Sequence, residues 1–560
     1  RNRRRRSRPE RRRRPMPYES GANLGGWLVQ ENWLLPNVLL FRLGPADIRD
    51  NQEWDYIQRM CQRGIDAVGS MRRHWASYLG EDDSYDLLTA SEPPPMLRRL
   101  RSAGVTRLRI PVGYWAFEPP VLPGCVGQLQ ADASESPGQP TVPGVGAPSP
   151  PPVFSSAGPV LRSLSSAGLT SDGFVTGSAL YLAALLRLLQ PLGMRCVIDM
   201  HSLPGGSVKH MGYTGRYFDE ARAFDGARAW YEASRNVSSS GTTGAKTGNG
   251  LGPGPSKAHP FLKRTVAALD TLAALVAELD AAPETAGVVA AVAPWNEALF
   301  MDNVKAAEEL PVFTLAMVPR IRKRLPEDRF DIYLNFFNDA LDWPAWLSAN
   351  QDVLGGGIVA EVHIYHAFDP PAPDRCGMCV GGEAGMRSVL CQICGSDATM
   401  LQRYRSAGLR TVVGEWSLST CGMWGNHPSQ ISGADFLYAW HASAKSSFAA
   451  HGVEADYFWS AAVRTGGYDP TLYAPHGRAS RAAVLSDLED VSQRSLWQAA
   501  NVYFAPPDVP VPADYLLNWD YARLTETMTS AGFPVVLPGL HLGHGDAHGN
   551  GGGVVGGGAG

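Results

Sequence analysis

A recurrence of short apolar runs, many of them β-branched and ending on polar or aromatic residues, constrains this fold more than any other feature. Eight such runs occur, at 20–24, 106–111, 195–201, 288–296, 332–336, 358–365, 411–415 and 455–459. Segments this short and this apolar read as strands buried on both faces of a parallel sheet. Longer stretches with a helical apolar period lie between several of them, at 178–192, 261–280, 305–324, 398–406 and 434–450. Eight strands alternating with helices is the count of a (β/α)8 TIM barrel, an α/β fold. An open doubly wound sheet competes, but no G-x-G-x-x-G follows the first strand and no P-loop motif occurs.

Three stretches break the alternation: 119–172 and 234–258, rich in Pro, Ser and Gly, and 370–397, which holds a cysteine cluster. Such compositions bury too little apolar surface to order themselves, so they read as insertions in one barrel over 18–535. A basic tail (1–17) and a Gly/His-rich tail (536–560) are expected to be disordered. Residues 1–14 carry ten arginines and one glutamate, so the formal charge of −4 for the whole chain hides −13 for the remainder. A folded part this acidic argues against nucleic-acid binding, and the arginines read as a solvated arm. No apolar run reaches the roughly 18 residues that a membrane-spanning helix needs.

In such a barrel, chemistry collects at the C-terminal strand ends. Here those ends supply Asn23, Arg109, Asp199, His201, Asn296, Glu297, His363, Tyr365, Glu415, Trp416 and Trp459. Glu297 follows the fourth strand and Glu415 ends the seventh, so the two face each other across the barrel mouth. Carboxylates so placed can flank a glycosidic bond, one protonating the leaving oxygen and the other attacking the anomeric carbon. A single such glutamate would read as structural. Arg109 is expected to keep Glu415 ionised by charge pairing. His363 and Tyr365, at i and i+2, point to one side of their strand and can hydrogen-bond the nucleophile or a sugar. His363 taken alone reads equally well as a core histidine. Some of the 15 tryptophans are candidate sugar platforms.

Cys376, Cys379, Cys391 and Cys394 form C-x-x-C-x11-C-x-x-C. The pattern suits a structural zinc ion held by four thiolates, two disulfides, or free thiols. Asn236-Val237-Ser238 is a lone glycosylation sequon, and His541, His544 and His548 read as solvated.

The segments NLGGWLVQENW (23–33), HWASYLGEDD (74–83), RIPVGYWAFEP (109–119), IDMHSLPGG (198–206), WNEALF (295–300), VHIYHAF (362–368), VVGEWS (412–417) and YFWS (457–460) occur in that order. Together they resemble the successive motifs of glycoside hydrolase family 5, in particular its exo-β-1,3-glucanase (glucan 1,3-β-glucosidase) branch. The resemblance implies a (β/α)8 barrel, retention of configuration, no cofactor, and a β-glucan or oligosaccharide substrate. It also implies a monomer, placed outside the cell or in the cell wall. By motif position it makes Glu297 the acid/base and Glu415 the nucleophile. Arg109, His201, Asn296, His363, Tyr365 and Trp459 match the surrounding shell. Of these, Asn296 would contact the sugar 2-hydroxyl and Trp459 would lie beneath the ring. Glu31 matches a carboxylate that grips the non-reducing-end sugar. The chain departs from the branch at SVKHMGYTG (207–215) and at Ala461 and Ala462. The alternatives are therefore an endo-β-1,4-glucanase, a mannanase, or a non-catalytic glucan-binding protein.

Overall fold

The computed structural model of the protein describes residues 18–30, 53–80, 85–125, 158–204, 215, 260–297, 303–336, 341–366, 389–420, 434–462 and 520–533. Eight strands form its centre: β1 (Glu19–Asn23), β2 (Val105–Gly113), β3 (Arg195–Ser202), β4 (Val289–Ala293), β5 (Asp331–Asn335), β6 (Ile358–His366), β7 (Arg410–Thr420) and β8 (Val453–Phe458). Each pairs in parallel with the next, and β8 returns to β1 to close the barrel. The fold is the expected (β/α)8 TIM barrel. The largest difference in strand bounds is in β7, which runs on past Glu415 to Thr420.

Small residues make room inside for large ones. Ala291, Ala293 and Ala455 share a buried cluster with Tyr333 and Tyr457. The Tyr333 and Tyr457 hydroxyls lie 3.3 Å apart, and Arg107 Nη1 donates to Tyr333 at 3.0 Å. At Gly21 of β1 a Cβ would sit 2.6 Å from the Tyr457 ring, so only glycine fits there. The lower barrel is thus filled by side chains, and the open end lies where the strands finish.

Around the barrel, in chain order, run α1 (Glu53–Gln62), α2 (Ala67–Ser77), α3 (Pro95–Ser102), α4 (Pro159–Leu164), α5 (Ser178–Leu189), α6 (Pro260–Ala281), α7 (Asn303–Arg322), α8 (Trp343–Leu354), α9 (Ala398–Ser406), α10 (Ala434–Ala450) and α11 (Tyr521–Ser530). The sequence pattern shows α5, α6, α7, α9 and α10. It misses the others, whose apolar faces are narrow: α3 buries only Met96, Leu97 and Leu100. By contrast α5 is apolar nearly all round because α2 and α4 cover it. Asp66 caps α2 by accepting from Gly69 N at 2.8 Å, and Asp520 caps α11 from Arg523 N at 3.0 Å. A cap of this kind contributes about 1 kcal/mol.

The insertion expected over 119–172 is narrower than its composition suggests. Leu122 pairs with Leu169, while Leu161, Leu164, Leu169 and Thr170 are buried. A few apolar anchors outweigh the flanking Pro and Ser. Residues 389–397 of the cysteine-bearing stretch are helical, with Val389 and Ile393 buried. A disulfide that the sequence did not suggest joins Cys61 to Cys125, clipping α1 to the chain after β2. The 234–258 insertion, both terminal tails and the sequon lie outside the described residues. Among the described residues no helix is long and apolar enough to cross a membrane.

Candidate active site

Arg109 of β2 is fully buried and organises the barrel mouth. Its Nη1 donates to Glu415 Oε1 at 2.8 Å and to Asn23 Oδ1 at 3.1 Å. Its Nη2 donates to Asn296 Oδ1 at 2.8 Å and lies 3.2 Å from Asp199 Oδ2. Its Nε lies 2.7 Å from Glu361 Oε1. One guanidinium therefore faces three carboxylates, on β3, β6 and β7. Burial works against its charge, but Asp199, Glu361 and Glu415 outweigh burial and raise its pKa.

Glu297 and Glu415 meet at this mouth, 8% and 5% exposed. One oxygen of each, with one His363 nitrogen, form a group whose atoms all lie within 4.8 Å of one another. Just past β4, Glu297 has φ 38°, a left-handed backbone that side chains other than glycine seldom adopt. His363 Nδ1 lies 2.7 Å from Glu297 Oε1 and 3.5 Å from Glu415 Oε2. Tyr365 donates its hydroxyl to Glu415 Oε2 at 2.8 Å. The i, i+2 placement on β6 thus sends His363 to one carboxylate and Tyr365 to the other.

The electrostatics of Glu415 differ from the sequence expectation. Arg109 pairs with it, but burial is the larger influence and nearby Glu297 adds repulsion. The net pKa is raised above 4.5, against the pull of His363 and Arg109. His363 moves the other way. Burial alone would lower its pKa, yet Glu415, Glu297 and Glu361 raise it to about 10. For His201, burial is likewise outweighed, here by Asp199, whose Oδ2 sits 2.6 Å from Nδ1, and the pKa is raised.

The shell expected around the pair is largely assembled. His201 Nε2 lies 3.5 Å from Asn296 Nδ2, and the His201 ring stacks on Trp459 with centroids 5.7 Å apart and planes 12° apart. Trp459 is only 3% exposed. Glu31 lies outside the described residues. Sequence reasoning missed Glu361, although it alternates with His363 and Tyr365 along β6 and so shares their face. Asp199 was visible at its strand end, but its double link to Arg109 and His201 was not.

The cysteine expectations need correction. Cys391 is disulfide-bonded, whereas Cys394 is a free, exposed thiol. A disulfide sulfur is not a thiolate ligand, so the four-cysteine zinc site is not formed in this structure. The alternative of two disulfides within the motif fails equally, since it would need Cys394. Cys376 and Cys379 lie outside the described residues.

No protein-family model matches the chain. Over 110 residues it is 34% identical to a protein of Aspergillus clavatus named probable glucan 1,3-beta-glucosidase A, covering 20% of this chain and 22% of that one. Over 98 residues it is 34% identical to glucan 1,3-beta-glucosidase 1 of Schizosaccharomyces pombe, covering 17% and 20%. The chain thus spans about a fifth of the length of the curated relatives it matches. Among solved structures, a rutinosidase from Aspergillus niger aligns with a TM-score of 0.47 at 14% identity, covering 80% of this chain and 90% of that one. An endo-1,4-beta-D-mannanase from Thermotoga petrophila aligns with a TM-score of 0.35 at 13% identity, covering 65% and 82%. The chain is a (β/α)8 barrel similar in sequence, over about a fifth of its length, to proteins named glucan 1,3-beta-glucosidase.

Proposed function

We propose that the protein is a retaining β-glycoside hydrolase of glycoside hydrolase family 5. Its substrate in this reading is β-glucan, with exo-release of glucose from β-1,3-linked chains. The observation that carries the reading is the approach of Glu297 and Glu415 from β4 and β7, with oxygens within 4.8 Å. Retaining enzymes hold their two carboxyl groups about 5–5.5 Å apart, whereas inverting enzymes need roughly 6.5–9.5 Å to admit a water.

In the first step Glu415 attacks the anomeric carbon while Glu297 gives its proton to the departing glycosidic oxygen. The glycosidic bond breaks and a glycosyl ester on Glu415 forms. In the second step Glu297, now a carboxylate, takes a proton from water. The water oxygen attacks the anomeric carbon and frees Glu415, so two inversions give retention. Arg109 and Tyr365 aim the attacking carboxylate, and Asn296 is assigned to the sugar 2-hydroxyl by motif position. Glu31 is assigned to the terminal sugar by motif position alone. An extracellular or cell-wall location and a monomeric state go with this reading.

The test compares laminarin, cellulose and mannan as substrates, sizing the first products and repeating with Glu415→Gln. Glucose released from laminarin, and lost in the variant, is expected. A ladder of oligosaccharides would make the enzyme endo-acting, and preference for cellulose or mannan would move it to the corresponding linkage. Binding without turnover would make it a glucan-binding protein.

A further inference from the structure

We propose that Glu361 is a positioning residue, whose buried carboxylate holds His363 as an imidazolium with Nδ1–H aimed at Glu297 Oε1. Its catalytic meaning rests on the proposed hydrolase reading. Both nitrogens of the His363 ring face carboxylates: Nδ1 at 2.7 Å from Glu297 Oε1, and Nε2 at 3.6 Å from Glu361 Oε1. A neutral imidazole has a single N–H, whereas the doubly protonated ring offers a donor to each oxygen whatever the protonation state of Glu297. Glu361 is 1% exposed, and among the described residues none donates an aligned hydrogen bond to either of its carboxylate oxygens. Its charge is answered by Arg109 Nε at 2.7 Å and by His363. Arg109 is already shared with Asp199 and Glu415. A second cation would further offset the buried charge, and His363 is in place to be it.

Three carboxylates face His363: Glu297 after β4, Glu361 on β6 and Glu415 on β7. Two of them change charge in the proposed reaction. Glu415 loses its negative charge when it becomes the glycosyl ester, and Glu297 gains one when it gives up its proton. Negative charge thus passes from one side of His363 Nδ1 to the other. Glu361 takes no part in bond making and keeps its charge throughout, which leaves it the constant partner of the imidazolium. Its place is fixed by the main chain as well. A Cβ on Gly414, the residue before Glu415, would collide with the Glu361 carboxylate. Glycine at 414 and glutamate at 361 are a matched pair.

The test is an imidazole nitrogen NMR titration of the full chain, with the His363 signal assigned by its loss in His363→Asn. His363 is expected to carry two protons at pH 7.5. In Glu361→Gln its titration should fall by at least roughly one pH unit, as for loss of an opposite charge within about 4–6 Å. Glu361→Asp should restore part of the shift. A neutral His363 at pH 7.5 in the parent overturns the proposal even if Glu361→Gln does not fold. So does an unchanged titration in a folded Glu361→Gln. Failure of the hydrolase reading would appear instead as absent turnover in the parent, with the NMR result still readable.

Discussion

Trp416, the residue after Glu415, donates its indole N–H to Asp456 Oδ2 at 2.7 Å. The strand of the proposed nucleophile is thereby tied to a buried ion pair outside the barrel, between α10 and β8. Asp456 also accepts from Tyr18 at 2.6 Å and from Lys445 Nζ at 3.1 Å, and Lys445 donates in turn to Ser20. Lys445 and Asp456 are 2% and 0% exposed in their side chains. Lys445→Met leaves Asp456 uncompensated, so it should cost roughly 3–5 kcal/mol in urea unfolding. A cost under about 1 kcal/mol would mean that water replaces the lysine.

Tyr365→Phe removes one hydrogen bond to the Glu415 carboxylate without changing the ring. Hydrogen bonds to charged groups contribute about 1.5–3 kcal/mol. On an aryl β-glucoside, kcat/KM should fall roughly 10- to 100-fold with little change in Tm. An unchanged kcat/KM would show that Tyr365 does not support the attacking group.

The pH profile follows from the environment of Glu415. In the proposed mechanism attack requires the carboxylate, and burial is the largest influence raising its pKa above 4.5. Activity is therefore lost as pH falls through that raised value, and the acid limb of kcat/KM should lie above pH 4.5. Glu297 is neutral while it serves as the acid, so Glu297→Gln should leave this limb in place when assayed on a β-glucosyl fluoride, which needs no proton to leave. A limb that falls below pH 4.5 in the variant would show that an ionised Glu297, not burial, sets it.

A second buried acid affects stability. Glu53, at the start of α1, is 0% exposed and accepts from Gln30 N at 3.1 Å. Burial pushes its pKa up from 4.5 to about 8. Between those pH values the unfolded chain has released the proton that the folded chain keeps, so stability falls as pH rises. The slope from this group is at most about 1.4 kcal/mol per pH unit. Glu53→Gln should flatten that part of the stability curve, as measured by urea unfolding at a series of pH values.

Most strands were legible because each is buried on both faces and bounded by turn residues. The polar residues at their ends stood out because nothing in a packed core needs them. Glu361 did not stand out, because it lies within a strand and its partners come from β2 and from its own strand two residues on. Arg109 was expected to pair with a single carboxylate, and only the closed barrel brings Asp199 and Glu361 to it as well. The helices between β1 and β2 were missed because each is short with a narrow apolar stripe, which in α3 arginines interrupt. Conversely, a Pro/Ser-rich stretch hid the buried anchors Leu161, Leu164 and Leu169.

The left-handed main chain at Glu297 makes this position a place where durability and activity diverge. Holding a glutamate at φ 38° costs on the order of 1–3 kcal/mol, which glycine would largely avoid. Glu297→Gly should therefore melt above the parent while losing turnover of natural substrates. Selection for heat tolerance alone, with no assay of hydrolysis, would be drawn toward discarding the proposed proton donor.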